Sequence, residues 1–230
     1  MSDLVQQQTA FTHALRNGDE AAAQTLVEVA QAAGTDLATI YFELFAPSMV
    51  TIGTLWEQNE LSVAEEHLAT AITERLIGQL SPGFTQSALQ GTRGNAVLGC
   101  VEGERHALGL RMLSDLFRQQ GWHVLYLGAD VPRADWVRLA VRFNASLVAI
   151  SAGAQRHAPA LRALVQELRA VLPQLTILVG GAAFRQEPDL WQQIGADLYH
   201  PHALTAVALA SARHMRDPAL QAVALPRTDQ

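Results

Sequence analysis

The stretch Glu102-Gly103-Glu104-Arg105-His106-Ala107-Leu108-Gly109 carries the residue types best suited to chemistry. A histidine beyond the end of a strand can hold a metal ion through one ring nitrogen. A carboxylate two residues earlier, Glu104, can accept a hydrogen bond from the other nitrogen. That contact fixes the tautomer and makes the free nitrogen the better ligand. Gly109 leaves side-chain space beside the helix that follows. Taken alone, these residues also describe an exposed polar loop with a helix-capping carboxylate. Ser151-Ala152-Gly153-Ala154 and Gly180-Gly181-Ala182-Ala183 are small-residue turns, and each by itself is an ordinary tight loop. With His106 they outline a long slot with a metal ligand at its mouth. A dinucleotide fingerprint is absent, because no GxGxxG follows the first strand.

A second group lies earlier in the chain, from Thr54 to Thr70. Trp56 ends one helix, and Glu66 and His67 fall in the first turn of the next, so a short reversal brings them to one end. Glu65 is used by a capping box with Ser62, which leaves Glu66 for other work. The alternative is core packing for Trp56 and an acid favoured by the helix dipole for Glu66.

Two sets of elements must position these groups. From Leu4 to Leu80 the apolar residues recur at helical spacing. This predicts helices over about 4–16, 19–34, 36–56 and 63–80. Pro47 interrupts the third, which kinks or restarts there. Four short-looped helices over residues 1–80 make a bundle. Ser81-Pro82-Gly83 and the polar residues to 94 read as a linker. Residues 95–216 then alternate short apolar strands, near 95–101, 123–127, 146–150, 175–179 and 196–199, with helices near 106–120, 132–143, 157–171, 187–194 and 202–215. That alternation predicts a Rossmann-like, flavodoxin-like sheet of five parallel strands covered on both faces. Ligands of such sheets bind beyond the carboxyl ends of the strands. Residues 217–230 read as a flexible tail.

Composition removes several classes. Sixteen basic against 22 acidic residues give a net charge of −6, which argues against direct nucleic-acid binding. A single cysteine, Cys100, leaves no internal disulfide or multi-cysteine metal site. No apolar run approaches the roughly 18 residues needed to cross a bilayer, and the start lacks a basic signal sequence, so a cytoplasmic protein without membrane contact is expected. His13, His157 and His214 are expected on helix surfaces and His200-Pro201-His202 in a solvated loop. Trp122, Trp136 and Trp191 fit core packing.

Glu104-Arg105-His106-Ala107-Leu108-Gly109, Ser151 and Gly180-Gly181, in that order and strand context, resemble the cobalamin-binding domain family. The resemblance implies that His106 is the lower axial cobalt ligand, steadied by Glu104, where an aspartate is commoner. It also implies that Ser151, Gly153 and Gly180-Gly181 line the slot for the cofactor's displaced tail, with Arg105 and Gly109 beside it.

The spacing of Trp56, nine residues, then Glu66-His67 resembles the helical cap of CarH-type adenosylcobalamin photoreceptors, a likeness extending from about residue 15 to about 215. It implies that Trp56, Glu66 and His67 meet the upper ligand. Glu57 stands where the best-known members have a cobalt-capturing histidine. No counterpart of that family's amino-terminal DNA-binding domain is expected ahead of the bundle. The leading expectation is therefore a non-enzymatic, stand-alone light sensor that forms a homo-oligomer or meets a regulatory protein partner. A related version binds a bilin as second chromophore, although Cys100 inside a strand argues against a thioether link. The alternative from another class is a corrinoid methyl-carrier subunit. Carriers resemble the opening Leu15-Arg16-Asn17-Gly18-Asp19-Glu20, but usually continue the histidine motif with Gly-Lys-Asn, where this chain has Gly109-Leu110-Arg111. A radical-mutase domain would need a substrate barrel that 230 residues cannot hold.

Overall fold

Local signals set each helix of the first half. In the computed structural model, which describes residues 2–86 and 93–216, α1 spans Ser2–Arg16 and α2 spans Glu20–Ala32. The Asp19 carboxylate caps α2 by accepting the Ala22 N–H at 2.9 Å. Asp36 does the same for the next helix through the Thr39 N–H and hydroxyl. That helix, α3, runs Leu37–Glu57, and α4 runs Val63–Gln86. At the start of α4 Ser62 and Glu65 form the expected reciprocal box: Glu65 accepts the Ser62 N–H at 2.7 Å, and the Ser62 hydroxyl accepts the Glu65 N–H at 3.3 Å.

The two prolines behave differently. Pro47 falls at a restart, as expected: the residues before it, Ile40–Phe45, widen into a π-helical segment, and regular α-helix resumes at Ala46 with Pro47 in its first turn. The Ala46 N–H donates to the Tyr41 carbonyl, so the turn opens where a proline ring would press on an ordinary α-helical carbonyl. Pro82 lies inside α4, so the stretch expected to begin a linker at Ser81 is helical to Gln86. A proline within a helix costs about 3 kcal/mol, and burial of a large apolar side chain returns about as much. Phe84 supplies that burial, fully covered with its ring 4.8 Å from Tyr41. The rest of the expected linker, 87–92, and the expected tail, 217–230, lie outside the described residues.

The helical unit, residues 1–86, has an aromatic core in which Phe11 stacks on Phe45 at 5.1 Å, and the Tyr41 hydroxyl donates to the Ile77 carbonyl. Contrary to the sequence expectation, α3 is long and apolar enough to cross a bilayer, with mean hydropathy 1.2. Its Ile40, Tyr41, Leu44, Phe45 and Ile52 are instead buried in the bundle.

The second unit, residues 87–230, contains β1 (Asn95–Cys100), α5 (Leu108–Gln119), β2 (His123–Gly128), α6 (Arg133–Arg142), β3 (Leu147–Ser151), α7 (Ala158–Val171), β4 (Thr176–Gly180), α8 (Ala182–Gln186), α9 (Leu190–Gln193), β5 (Leu198–Tyr199) and α10 (Ala203–Arg216). The helix expected over 187–194 is the short α9, and an unexpected short helix, α8, starts directly after the Gly180-Gly181 turn. All strands are parallel in the order β2-β1-β3-β4-β5. This is the flavodoxin-like, Rossmann-related order, in which successive strands are added to one side and then, from β3 on, to the other side of β1. Apolar residues of β1, β3 and β4 are buried because helices cover both faces. Gly99 makes room for Trp136, whose ring would lie 2.7 Å from a Cβ there.

Candidate functional site

At the carboxyl edge of the sheet, Cys100 of β1, Ser151 of β3 and Gly180 of β4 stand opposite one another in register. The loops that follow them therefore leave from one line. The loops after β1 and β3 turn toward opposite faces, because β1 connects onward to β2 and β3 to β4. The crevice between them is the position at which open sheets of this order receive ligands.

Glu104 bridges that crevice. Its carboxylate is 1% exposed, and its contacts order its own loop and draw two others onto it. Oε1 accepts the His106 N–H at 2.8 Å and lies 2.6 Å from His106 Nδ1. Oε2 accepts the Gly153 N–H from the loop after β3. The Glu104 carbonyl accepts the Asp130 N–H at 2.8 Å, and Asp130 Oδ1 accepts the Gly103 N–H at 2.7 Å. Loops after β1, β2 and β3 are thus tied to one residue. Burial by itself would raise the Glu104 pKa, but the hydrogen bonds from His106 and Gly153 outweigh it and hold the carboxyl below its ordinary value.

His106 itself is open, its side chain 75% exposed. It lies in the loop two residues ahead of α5. With Nδ1 on a buried carboxylate, the proton belongs on Nδ1 and the Nε2 lone pair faces outward. This chemistry fits one axial metal ligand. Among the described residues no cluster of three or more His, Cys, Asp or Glu could hold a metal by itself.

The remaining residues expected at the slot are placed as follows. Gly109 and Gly180 have open space where a Cβ would be. Gly181 has φ +107°, and a Cβ there would lie 2.3 Å from the Ala152 carbonyl oxygen. Ser151 is half-buried, and its carbonyl accepts the Val101 N–H at 3.0 Å. Arg105 is exposed beside His106.

In the helical unit, Trp56 is 40% exposed near the end of α3, so it is not packed in the core. Glu66 lies in the first turn of α4, with Oε2 2.6 Å from His67 Nδ1 and Oε1 accepting from the Thr70 hydroxyl at 2.9 Å. His67 is exposed. The reversal through 58–62 brings Trp56 and this pair to the same end of the bundle.

Two histidines expected at the surface are buried. His157 is 7% exposed, in a 3-10 turn, Gln155–His157, that folds back on the sheet edge with Nδ1 3.1 Å from Glu104 Oε2. His214 is 2% exposed because it lies on the inner face of α10 with Val207, Ala210 and Ser211, and its ring packs 4.8 Å from Trp122. That face was legible as helical spacing; His157 had no periodic signal. Trp122 and Trp136 are in the core and Trp191 packs at its margin. His200 and His202 sit in a loop, where the His202 N–H donates to His200 Nδ1 at 3.1 Å.

Residues 94–208 match a family described as B12 binding domain, and residues 7–81 match a second family with the same description. The chain is similar to the HTH-type transcriptional repressor CarH of Myxococcus xanthus, 31% identical over 68% of this chain and 52% of that protein. It therefore spans about half the length of that relative. Dimethylamine corrinoid protein 2 of Methanosarcina acetivorans is 30% identical over 72% of this chain and 76% of that protein. The structure of the Methanosarcina barkeri monomethylamine corrinoid protein shares the fold, with a TM-score of 0.78 at 21% identity over 88% of this chain and 96% of that one.

Proposed function

Because the chain belongs to the B12 binding domain family, we propose that it is a non-enzymatic, cobalamin-dependent light sensor rather than a catalyst. His106 is the lower axial ligand in this reading. Glu104 keeps the His106 proton on Nδ1, and Gly109 and Gly180, with open space where a Cβ would stand, leave the slot open for the cofactor's tail. Bound adenosylcobalamin supplies a cobalt–carbon bond that visible light breaks. Trp56, Glu66 and His67 would offer an upper ligand an indole face suited to an adenine ring and a carboxylate suited to ribose hydroxyls.

The observation that carries this reading is the exposed Trp56 at the same bundle end as the Glu66–His67 pair. A partly exposed indole at that end has a free face that a flat ligand can cover. Loss of the upper ligand then removes a contact that one state has and the other lacks, the difference any switch requires. The output is a change in self-association or in contact with a regulatory partner.

The second reading is a corrinoid methyl carrier, favoured by coverage: the chain spans 76% of a dimethylamine corrinoid protein but 52% of CarH. One experiment separates the two. The protein is reconstituted in the dark with adenosylcobalamin or methylcobalamin, and spectra and size-exclusion profiles are recorded before and after green illumination. The sensor retains the adenosyl form and changes spectrum and elution in light. The carrier retains the methyl form and loses the adenosyl form. Failure to bind either sinks both readings.

A further inference from the structure

An exposed ligand needs two anchors, one for its ring and one for its backbone. Glu104 supplies the first for His106. The second lies on the other side of the histidine, where the chain enters α5. Ala107 stands at the cap of that helix, and its carbonyl accepts two hydrogen bonds. One is the first of the helix, from the Arg111 N–H at 2.9 Å; the other comes from the Tyr126 hydroxyl at 3.2 Å. Tyr126 belongs to β2 and stands beside an irregularity of the sheet. Leu98 pairs with Tyr126 but Gly99 pairs with Gly128, which leaves Leu127 as an extra residue in β2. Bulges of this kind bend a strand and re-aim the side chains beside them. The Tyr126 ring is half-buried, with the Arg111 guanidinium 5.9 Å from its centroid. Arg111 in turn lies 3.1 Å from Asp115, a carboxylate fully covered in α5. The phenol is thus held from α5 as well as from β2.

We propose that Tyr126 is a positioning residue for the axial histidine, acting through the Ala107 carbonyl. The hydroxyl pins the peptide directly after His106 to the sheet, so that the imidazole is carried from a fixed Cα. A hydrogen bond inside the first turn of α5 ties that turn only to its own helix; the hydroxyl ties it to β2. The contribution is one of order more than of stability. Without the hydroxyl the carbonyl keeps its bond to the Arg111 N–H, so its acceptor is not orphaned. The proposal rests on the axial role of His106.

The test uses the full chain with and without hydroxocobalamin, as wild type, as Tyr126→Phe, and with para-aminophenylalanine at the same position, whose amine donates from the same place. In the unloaded protein, nitrogen relaxation NMR reports the order of the His106 and Ala107 amides. Both should be rigid in wild type and mobile in Tyr126→Phe, while the thermal melts stay close. Hydroxocobalamin should bind the Phe variant about two- to ten-fold more weakly, the usual weight of one hydrogen bond. The amine should restore both order and affinity. Unchanged order in Tyr126→Phe would overturn the proposal, as would an amine that restores neither property. Lost order with unchanged affinity, in a protein whose His106→Ala variant binds weakly, would overturn it too, because the anchor would then not serve the ligand. If the Phe variant does not fold, wild type decides: a slowly exchanging Tyr126 hydroxyl proton coupled to the Ala107 carbonyl carbon sustains the proposal, and one in free exchange with water overturns it. If His106→Ala binds hydroxocobalamin unchanged, the axial reading fails; the relaxation measurement still decides whether Tyr126 orders the loop.

Discussion

Gly153 and Glu104 come from different loops and meet without room for a methyl group: a Cβ on Gly153 would lie 2.5 Å from Glu104 Oε2. The backbone N–H of Gly153 and the absence of its side chain are both needed for the carboxylate to cross the crevice. Gly153→Ala keeps the backbone conformation accessible, so the carboxylate must give way. The expected result is a folded protein whose cobalamin affinity falls about 10- to 100-fold, the usual loss when a ligand's outer hydrogen bond is disturbed. Titration with hydroxocobalamin beside a circular-dichroism melt checks it; unchanged affinity would mean that Glu104 does not orient His106.

Gly181 gives the opposite test, of fold rather than ligand. A Cβ there meets the Ala152 backbone at φ +107°, and a backbone carbonyl cannot swing aside as a side chain can. Gly181→Ala should lose about 2–3 kcal/mol of stability in the sheet unit. Denaturant melts monitored by Trp fluorescence report it, and a variant within 0.5 kcal/mol of wild type would show that the turn relaxes freely.

Acid should expose the role of Glu104 in stability. Its carboxyl is held below the ordinary glutamate value of 4.5, so its contribution is fully present above that pH and disappears as pH falls through the lowered folded value. Glu104→Gln should therefore be less stable than wild type at pH 7, and the gap should close as acid protonates wild-type Glu104. Chemical denaturation of both proteins across pH 7 to 3 measures the gap. A gap that stays constant would assign the loss to shape rather than charge.

Much of the fold was legible because the two halves have different periods, one helical and one of apolar strands alternating with helices. The motif around His106 was legible because β1 ends just before it. What escaped was set by tertiary packing. Nothing local announces that a π-helical segment absorbs Pro47, or that Phe84 carries α4 past Pro82. The burial of His157 depends on how the loop after β3 folds onto a carboxylate from another loop, a contact that no spacing encodes. His214 could have been found, since it repeats the spacing of Val207 and Ala210.

Cys100 bears on the two-chromophore version of the sensor. Its thiol is fully covered in β1, and burial, with the nearby Glu104 charge, pushes its pKa up from 9.0 to about 12. A thiol reacts as thiolate, so at pH 8 the native chain should give no fast reaction with a disulfide reagent and one equivalent after unfolding. A bilin attached through a thioether is thus not expected. Chromophore that stays with the chain on a denaturing gel would contradict this.

Trp56 separates stability from ligand choice. With 40% of its surface in solvent and the rest covered, Trp56→Ala should lower unfolding free energy by about 2–3 kcal/mol and leave the bundle folded. If the indole covers an adenine ring, the stacking lost is about 0.5–1.5 kcal/mol, or up to roughly ten-fold in affinity. The variant should therefore bind adenosylcobalamin more weakly and methylcobalamin as before, because a methyl group offers no ring to stack. Competition between the two cofactors in the dark measures the ratio directly. A smaller light-driven change in elution should accompany the lost preference, since the dark state then holds its upper ligand less firmly. Equal selectivity in variant and parent would remove Trp56 from the upper-ligand site and move the balance toward the methyl carrier, which needs no aromatic wall there.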